Sequence, residues 1–209
     1  MNNIEQKTTQ TRIRLLKAAT EVFAKAGVAG ATTKEIARVA GVNEVTLFRH
    51  FHSKEQLLGA VVQHVLALQA EALAHQDEWT QDLKEDLMHY GWLYNSMLEE
   101  HEALIRTFIG EAKRHPEEAR RIISEAAQPL REKLIAYLSK AQIRGVVRED
   151  IDLKPTVDMF TGMLIAGMLR RSAIPPQQLG YSRQHYIETC ISVFVRGISI
   201  VHTNSKSTS

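Results

Sequence analysis

Between Thr32 and Lys54 the chain collects side chains that can grip a polyanion: Thr32, Thr33, Lys34, Asn43, Glu44, Val45, Thr46, Phe48, Arg49, His50 and Lys54. Lys34, Arg49, His50 and Lys54 can meet phosphate oxygens. Asn43, Thr46 and the backbone amides that open short helices can donate to the same oxygens. Arg49 has the donor fork to read a guanine edge, and the methyl groups of Val45 and Thr46 suit thymine methyls. Glu44 can accept from a cytosine amine, or repel phosphate and so tune register. This is the chemistry of recognition, with no bond made or broken.

Such side chains work only if something rigid presents them. Thr32-Thr33-Lys34-Glu35 matches a capping box, with Thr32 capping a short second helix and Glu35 reaching back. Ile36, Ala37 and Ala40 give that helix an inward face. Gly41 can take the positive φ of a tight turn, and Val42 can plug the core beneath it. Asn43 is a good cap for a third helix, Glu44 to His50, whose Leu47 and Phe51 point inward while Phe48 shares the flank. Two short helices joined by a glycine-bearing turn are the pattern that lays a recognition helix in the major groove of double-stranded DNA.

The charge distribution agrees. Residues 1–57 carry nine Lys/Arg against five Asp/Glu, a local +4 in a chain of net charge +2, which leaves −2 for the remainder. The basic excess sits where a polyanion would be met. Bond-making chemistry lacks its components. His101-Glu102 has no second histidine four residues after His101, and no carboxylate or cysteine set completes His64 and His75 as a metal site. There is no phosphate-binding glycine loop. Cys190 is the single cysteine and lacks an assigned base partner, so packing is its expected role, with redox response as the alternative. A non-enzyme without metal or cofactor is the expectation. A purely structural helical adaptor would have no use for the outward-facing third helix beside a basic patch.

The rest of the chain reads as helix, giving an all-α protein of about nine helices. The first runs from Thr8 to Ala26 with Leu15, Ala19, Val22, Phe23 and Ala26 on one face, and Gly27 stops it. Ser53 caps a fourth helix expected to continue to Gln76, with Leu57, Val61, His64, Val65 and Leu68 as its stripe. A fifth spans Thr80–Glu99 and a sixth Glu102–Arg114. A seventh runs from Pro116 to Gly145, kinked or divided at Pro129. An eighth begins with Pro155 in its first turn and ends near Ser172. A Pro175–Gly180 loop follows, and Ser182 caps a ninth helix reaching His202. The tail from Thr203 is polar and expected to be disordered. The N-terminus has no apolar secretory segment, and no apolar run approaches the ~20 residues of a membrane span, so a cytoplasmic location is expected.

The eighth and ninth helices are apolar around much of their circumference, which demands burial. Pairing both with a second copy, as a four-helix seam, is the favoured way to bury them.

The segment 8–68 resembles the N-terminal DNA-binding domain of the TetR (tetracycline-repressor) family. The likeness is carried by Ala24-Lys25-Ala26-Gly27-Val28, Thr32, Ile36-Ala37, Ala40-Gly41-Val42, Thr46-Leu47-Phe48-Arg49-His50-Phe51 and Ser53-Lys54-Glu55-Gln56-Leu57-Leu58. It departs from the family pattern at Phe48, where tyrosine is usual, and at Val45, where glycine is frequent. The resemblance implies a homodimeric regulator, usually a repressor, with residues 8–68 on a palindromic operator and residues 69–203 forming the effector-binding and dimerisation domain. Met88, Trp92, Tyr94, Met97, Phe108 and Met163 are candidates to line an apolar cavity for a small hydrophobic effector. An effector acting through the fourth helix would change the separation of the two heads.

Overall fold

The computed structural model describes residues 3–72, 79–113 and 116–200. Ten helices are present among them: α1 (Asn3–Gly30), α2 (Thr33–Val39), α3 (Glu44–His50), α4 (Lys54–Ala72), α5 (Leu83–Glu100), α6 (Glu102–Ala112), α7 (Pro116–Ile143), α8 (Leu153–Ala173), α9 (Pro176–Leu179) and α10 (Arg183–Ile198). The helix beyond the expected nine is α9, a single turn within the Pro175–Gly180 loop, opened by proline and closed by Gly180 at φ 71°. The expected stretch of the fourth helix to Gln76, together with His75, Arg114 and the tail from Thr203, lies outside the described residues.

The chain divides into two compact units. One holds Met1–Ala72 and Met97–Leu130, the other Leu73–Ser96 and Arg131–Ser209.

In the first unit, α1 packs on α2, α4 and α6. Its face of Leu15, Ala19, Val22 and Phe23 is buried, while Ala26 is exposed because the helix breaks one residue later. Gly27, at φ 65° and ψ 171°, is the break, and a final turn to Gly30 follows it. In α4, Leu57, Val61 and Val65 are buried, whereas Leu68 at the end of the stripe is 53% exposed.

In the second unit, α5 begins at Leu83 and not at Thr80. The Thr80 backbone amide and hydroxyl both donate to the buried Asp86 carboxylate, at 2.8 and 2.9 Å, and Gln81 takes a positive φ of 67°. The Tyr137 hydroxyl, from α7, completes that carboxylate's shell at 2.6 Å. Leu83, Leu87, Tyr90 and Tyr94 are buried along α5. α7 runs through Pro129 as one helix, so the proline does not divide it. Arg131 of α7 makes a two-pronged ion pair with Asp158 of α8 at 2.6 and 2.9 Å. α8 starts two residues before Pro155, with Asp152 as its cap.

α8 and α10 pack together. Phe160 stacks on Phe194 with ring centroids 4.4 Å apart. Gly167 lets the Tyr186 ring lie directly on the α8 backbone, and a methyl group there would overlap the ring. α10 ends at Ile198, short of His202, because the chain turns extended and bridges antiparallel to Val147 through Ser199.

Candidate nucleic-acid interface

The second and third helices form as their caps dictate. The Thr32 hydroxyl accepts from the Glu35 amide at 3.1 Å, and Asn43 Oδ1 accepts from the Thr46 amide at 2.8 Å. Each cap satisfies one of the amides that a helix start leaves without a partner. The other half of the capping box is absent. The Glu35 carboxylate turns outward to Arg38, taking two hydrogen bonds of 2.7 and 2.8 Å, since a guanidinium one turn along offers a stronger, charge-assisted pair. Gly41 takes φ 66°, as the turn requires. Ile36, Ala37, Ala40, Leu47 and Phe51 are buried, but Val42 is only half-buried and covers the turn's edge.

This scaffold leaves one face of α3 open. Val45 is 78% and Phe48 42% exposed, and Arg49 and Asn43 are exposed beside them. Lys34 is exposed on α2 and Thr32 precedes it, also exposed. Thr46, Glu44 and His50 are half-buried. Burial, then the neighbouring charges of Arg49 and Arg12, holds the His50 imidazole below its ordinary pKa, so it is neutral near pH 7.

Thr33, Asn43, Glu44, Thr46 and Lys54, all expected contact residues, have internal partners. The Thr33 hydroxyl donates to the Glu44 carboxylate at 2.5 Å, stapling the start of α2 to the start of α3. The Thr46 hydroxyl donates to Asn43 Oδ1 at 2.8 Å. The Lys54 ammonium donates to the Val28 and Ala31 carbonyls at 2.7 and 3.1 Å. Two of its three protons therefore clip the start of α4 to the end of α1, and one remains for solvent or phosphate. The 26- and 23-residue separations of these contacts leave no local pattern from which to read them.

The six candidate ligand-lining residues divide between the units. Met97 and Phe108 belong to the first and are buried; Met88, Trp92, Tyr94 and Met163 belong to the second. Tyr94 stacks on Tyr90, and Trp92 lies under the Arg183 guanidinium at 5.2 Å. The second unit also encloses polar groups among its apolar side chains. Asn95, fully buried, accepts from Arg171 at 2.7 Å, while its own amide nitrogen and the Tyr90 hydroxyl are buried without a hydrogen-bond partner. Asn95 was detectable in the sequence as an amide flanked by core positions of α5. Cys190 is buried, and that burial raises its thiol pKa, which disfavours the reactive thiolate. Among the described residues no group of three His, Cys, Asp or Glu can hold a metal ion, and no helix is long and apolar enough to cross a membrane.

Two family profiles match the chain. That of bacterial regulatory proteins, tetR family, matches residues 15–61, and that of the tetracyclin repressor-like C-terminal domain matches residues 77–180. The HTH-type transcriptional repressor NicS of Pseudomonas putida is 32% identical over 153 residues, 70% of each chain. The HTH-type transcriptional regulator YvkB of Bacillus subtilis is 26% identical across 90% of this chain and 97% of its own. Among solved structures, the fatty acid degradation regulator FadR of Bacillus halodurans superposes with a TM-score of 0.74 at 20% identity, covering 90% of this chain and 95% of that one. FadR of Bacillus subtilis, in complex with stearoyl-CoA, gives 0.71 at 19% identity, covering 89% and 98%. The chain belongs to the TetR family and is a DNA-binding transcriptional regulator.

Proposed function

We propose that the protein is a homodimeric repressor that acts in the cytoplasm and lays α3 of each copy in the major groove of a palindromic operator, from which a small hydrophobic effector releases it. The observation that carries this reading is the open face of α3. Val45, Phe48 and Arg49 stand out from a scaffold of buried and capped residues. Arg49, Lys34 and His50 serve phosphates and guanine edges, and Val45 meets thymine methyls. Asn43 and Thr46 present their remaining hydrogen-bonding capacity to the backbone, as does the third proton of Lys54. Thr32, Thr33 and Glu44 position the helix and reach DNA at its margin. Residues 8–68 act as the DNA-binding domain, and residues 69–203 bind effector and dimerise.

Pairing through the last two long helices is supported by what they leave uncovered. Met159, Gly162 and Ala166 of α8 lie three and four residues apart, on one exposed face. Thr189, Val193 and Gly197 of α10, each four residues apart, share an exposed face as well. Met159 is 68% and Val193 60% exposed, and the space over Gly162 and Gly197 is open. Small residues between large apolar ones admit close approach of a second helix pair.

The effector reading is supported by the aromatic and Met side chains of the second unit and by the unpartnered Asn95 amide nitrogen and Tyr90 hydroxyl buried there. Buried polar atoms without partners are rare, and a ligand carrying an acceptor would satisfy the Asn95 amide or the Tyr90 hydroxyl. An effector that binds the DNA-incompetent state more tightly weakens operator binding by the same factor. The buried, pKa-raised thiol of Cys190 speaks for this over a redox trigger.

The test is a footprint on the DNA flanking the protein's own gene, repeated with a panel of apolar ligands. Protection of a palindrome, lifted by one ligand class, is the expected result. A gel shift unaltered by Arg49→Ala, or a complex insensitive to added salt, overturns the assignment of α3.

A further inference from the structure

The first unit contains a cleft of about 310 Å³ that no DNA-reading role requires. That volume lies at the lower end of the roughly 300–1,000 Å³ of small-molecule sites. Its wall is built from Arg12 of α1, His50 at the end of α3, Gln56 and Gln63 of α4, and Arg121 and Glu125 of α7. Two arginines and one glutamate therefore line the same cleft. That carboxylate already accepts a 2.8 Å hydrogen bond from the Gln63 amide. Among the described residues, neither Arg12 nor Arg121 is ion-paired with an acid.

The orientation of Arg12 adds to this. Its guanidinium lies 4.5 Å above the centre of the Phe51 ring. A guanidinium stacked in this way is held by its face and keeps its in-plane N–H donors for a ligand. Arg121 approaches from a different helix, 109 positions along the chain. Two donor forks on separate elements, in a cleft also lined by the neutral amides of Gln56 and Gln63, suit an anion with several oxygens.

We propose that this cleft is a binding site for a small phosphate-bearing anion, held between the guanidiniums of Arg12 and Arg121. Arginine matches phosphate in geometry as well as charge, offering two parallel N–H donors per fork. His50 lines the cleft too, with the charges of Arg49 and Arg12 acting on it and Arg121, Glu125 and Gln56 lining the same cleft. A bound anion offsets the cationic crowding on that imidazole. The phosphate can arrive on a soluble molecule or belong to the DNA backbone, and the proposal is for the soluble one.

The experiment uses the full-length protein and inorganic pyrophosphate, with sodium chloride at matched ionic strength as the control. Binding is followed by calorimetry and by the NMR titration of His50. Saturable binding is expected, with the His50 pKa moving upward. Arg121→Ala should weaken that binding about tenfold or more, the loss of charge-assisted hydrogen bonds. Arg121→Lys, which keeps the charge but not the fork, should fall between the two. Affinity for a duplex at the same ionic strength should stay unchanged in both variants. Absence of saturation overturns the proposal, and so does pyrophosphate binding that Arg121→Ala leaves intact. A loss of duplex affinity parallel to the loss of pyrophosphate binding also overturns it, because the phosphate would then be DNA's own. The readout needs no operator, so its failure is separable from failure of the DNA reading.

Discussion

Both α3 and the α8–α10 pair push apolar side chains into solvent, yet the two exposed faces differ in almost every other respect. On α3, Val45 and Phe48 sit on a seven-residue helix among Asn43, Arg49 and His50. On α8 and α10, Met159 and Val193 are spaced by Gly162, Ala166, Thr189 and Gly197 along helices of 21 and 16 residues. A polar, basic surround leaves the first face usable by a charged, methyl-studded groove. A surround of small side chains leaves the second usable by another helix. Exposure of a large apolar residue is therefore uninformative alone; its neighbours decide what it suits.

A charge on the second face should have the largest effect. If that face pairs copies, Val193→Glu buries an unpaired carboxylate and should cost the dimer about 3 kcal/mol or more. Sedimentation should then show a monomer with unchanged helical content. The same substitution at Val45 should leave the oligomeric state untouched and impair only DNA binding.

Next in size is the packing beneath the second face. Gly167→Ala forces the Tyr186 ring off α8 and should lower stability by about 1–3 kcal/mol, read from thermal unfolding. Gly110→Ala, in a helix with open space around the new methyl, should leave stability equal or raise it by up to about 1 kcal/mol.

On the first face, Arg49→Ala should weaken operator binding by about 1–3 kcal/mol without altering the dimer, by quantitative gel shift. Asn43→Ala removes the cap that holds α3 and should cost about 1 kcal/mol of stability, seen in denaturant unfolding.

The smallest effect is of pH. The folded His50 binds its proton less readily than the unfolded chain, whose value is near 6.5. Its contribution to stability is therefore full above about pH 6.5 and is lost as pH falls from there toward the lowered folded value. DNA phosphates favour the imidazolium, so operator affinity should rise as pH drops through the same window. His50→Gln should flatten that rise, and an unchanged pH profile in the variant would remove His50 from the interface. His101 is also held low by burial, and the His50 variant separates the two.

Much of the head was legible because its determinants are local. Thr32 and Asn43 cap amides three residues away, Gly41 supplies a turn by its own φ, and Ile36, Leu47 and Phe51 follow helical spacing. Where local signals compete, legibility fails. Glu35 matches a capping box in sequence, but Arg38 offers its carboxylate the stronger partner. Thr80 resembles a helix start, yet Asp86 draws it out of the helix.

Residue order and type alone specify an all-helical chain, a capped two-helix reading head with a basic excess around it, and two late helices too apolar to stand alone. These follow from hydrogen bonds and side-chain periodicity within a few residues. Helix packing sets the rest: Lys54 gives two of its protons to the Val28 and Ala31 carbonyls, and Asn95 meets Arg171. It alone brought Arg12 and Arg121 to one cleft. Partners so far apart along the chain are chosen by how helices pack, and packing depends on the whole set of buried surfaces at once.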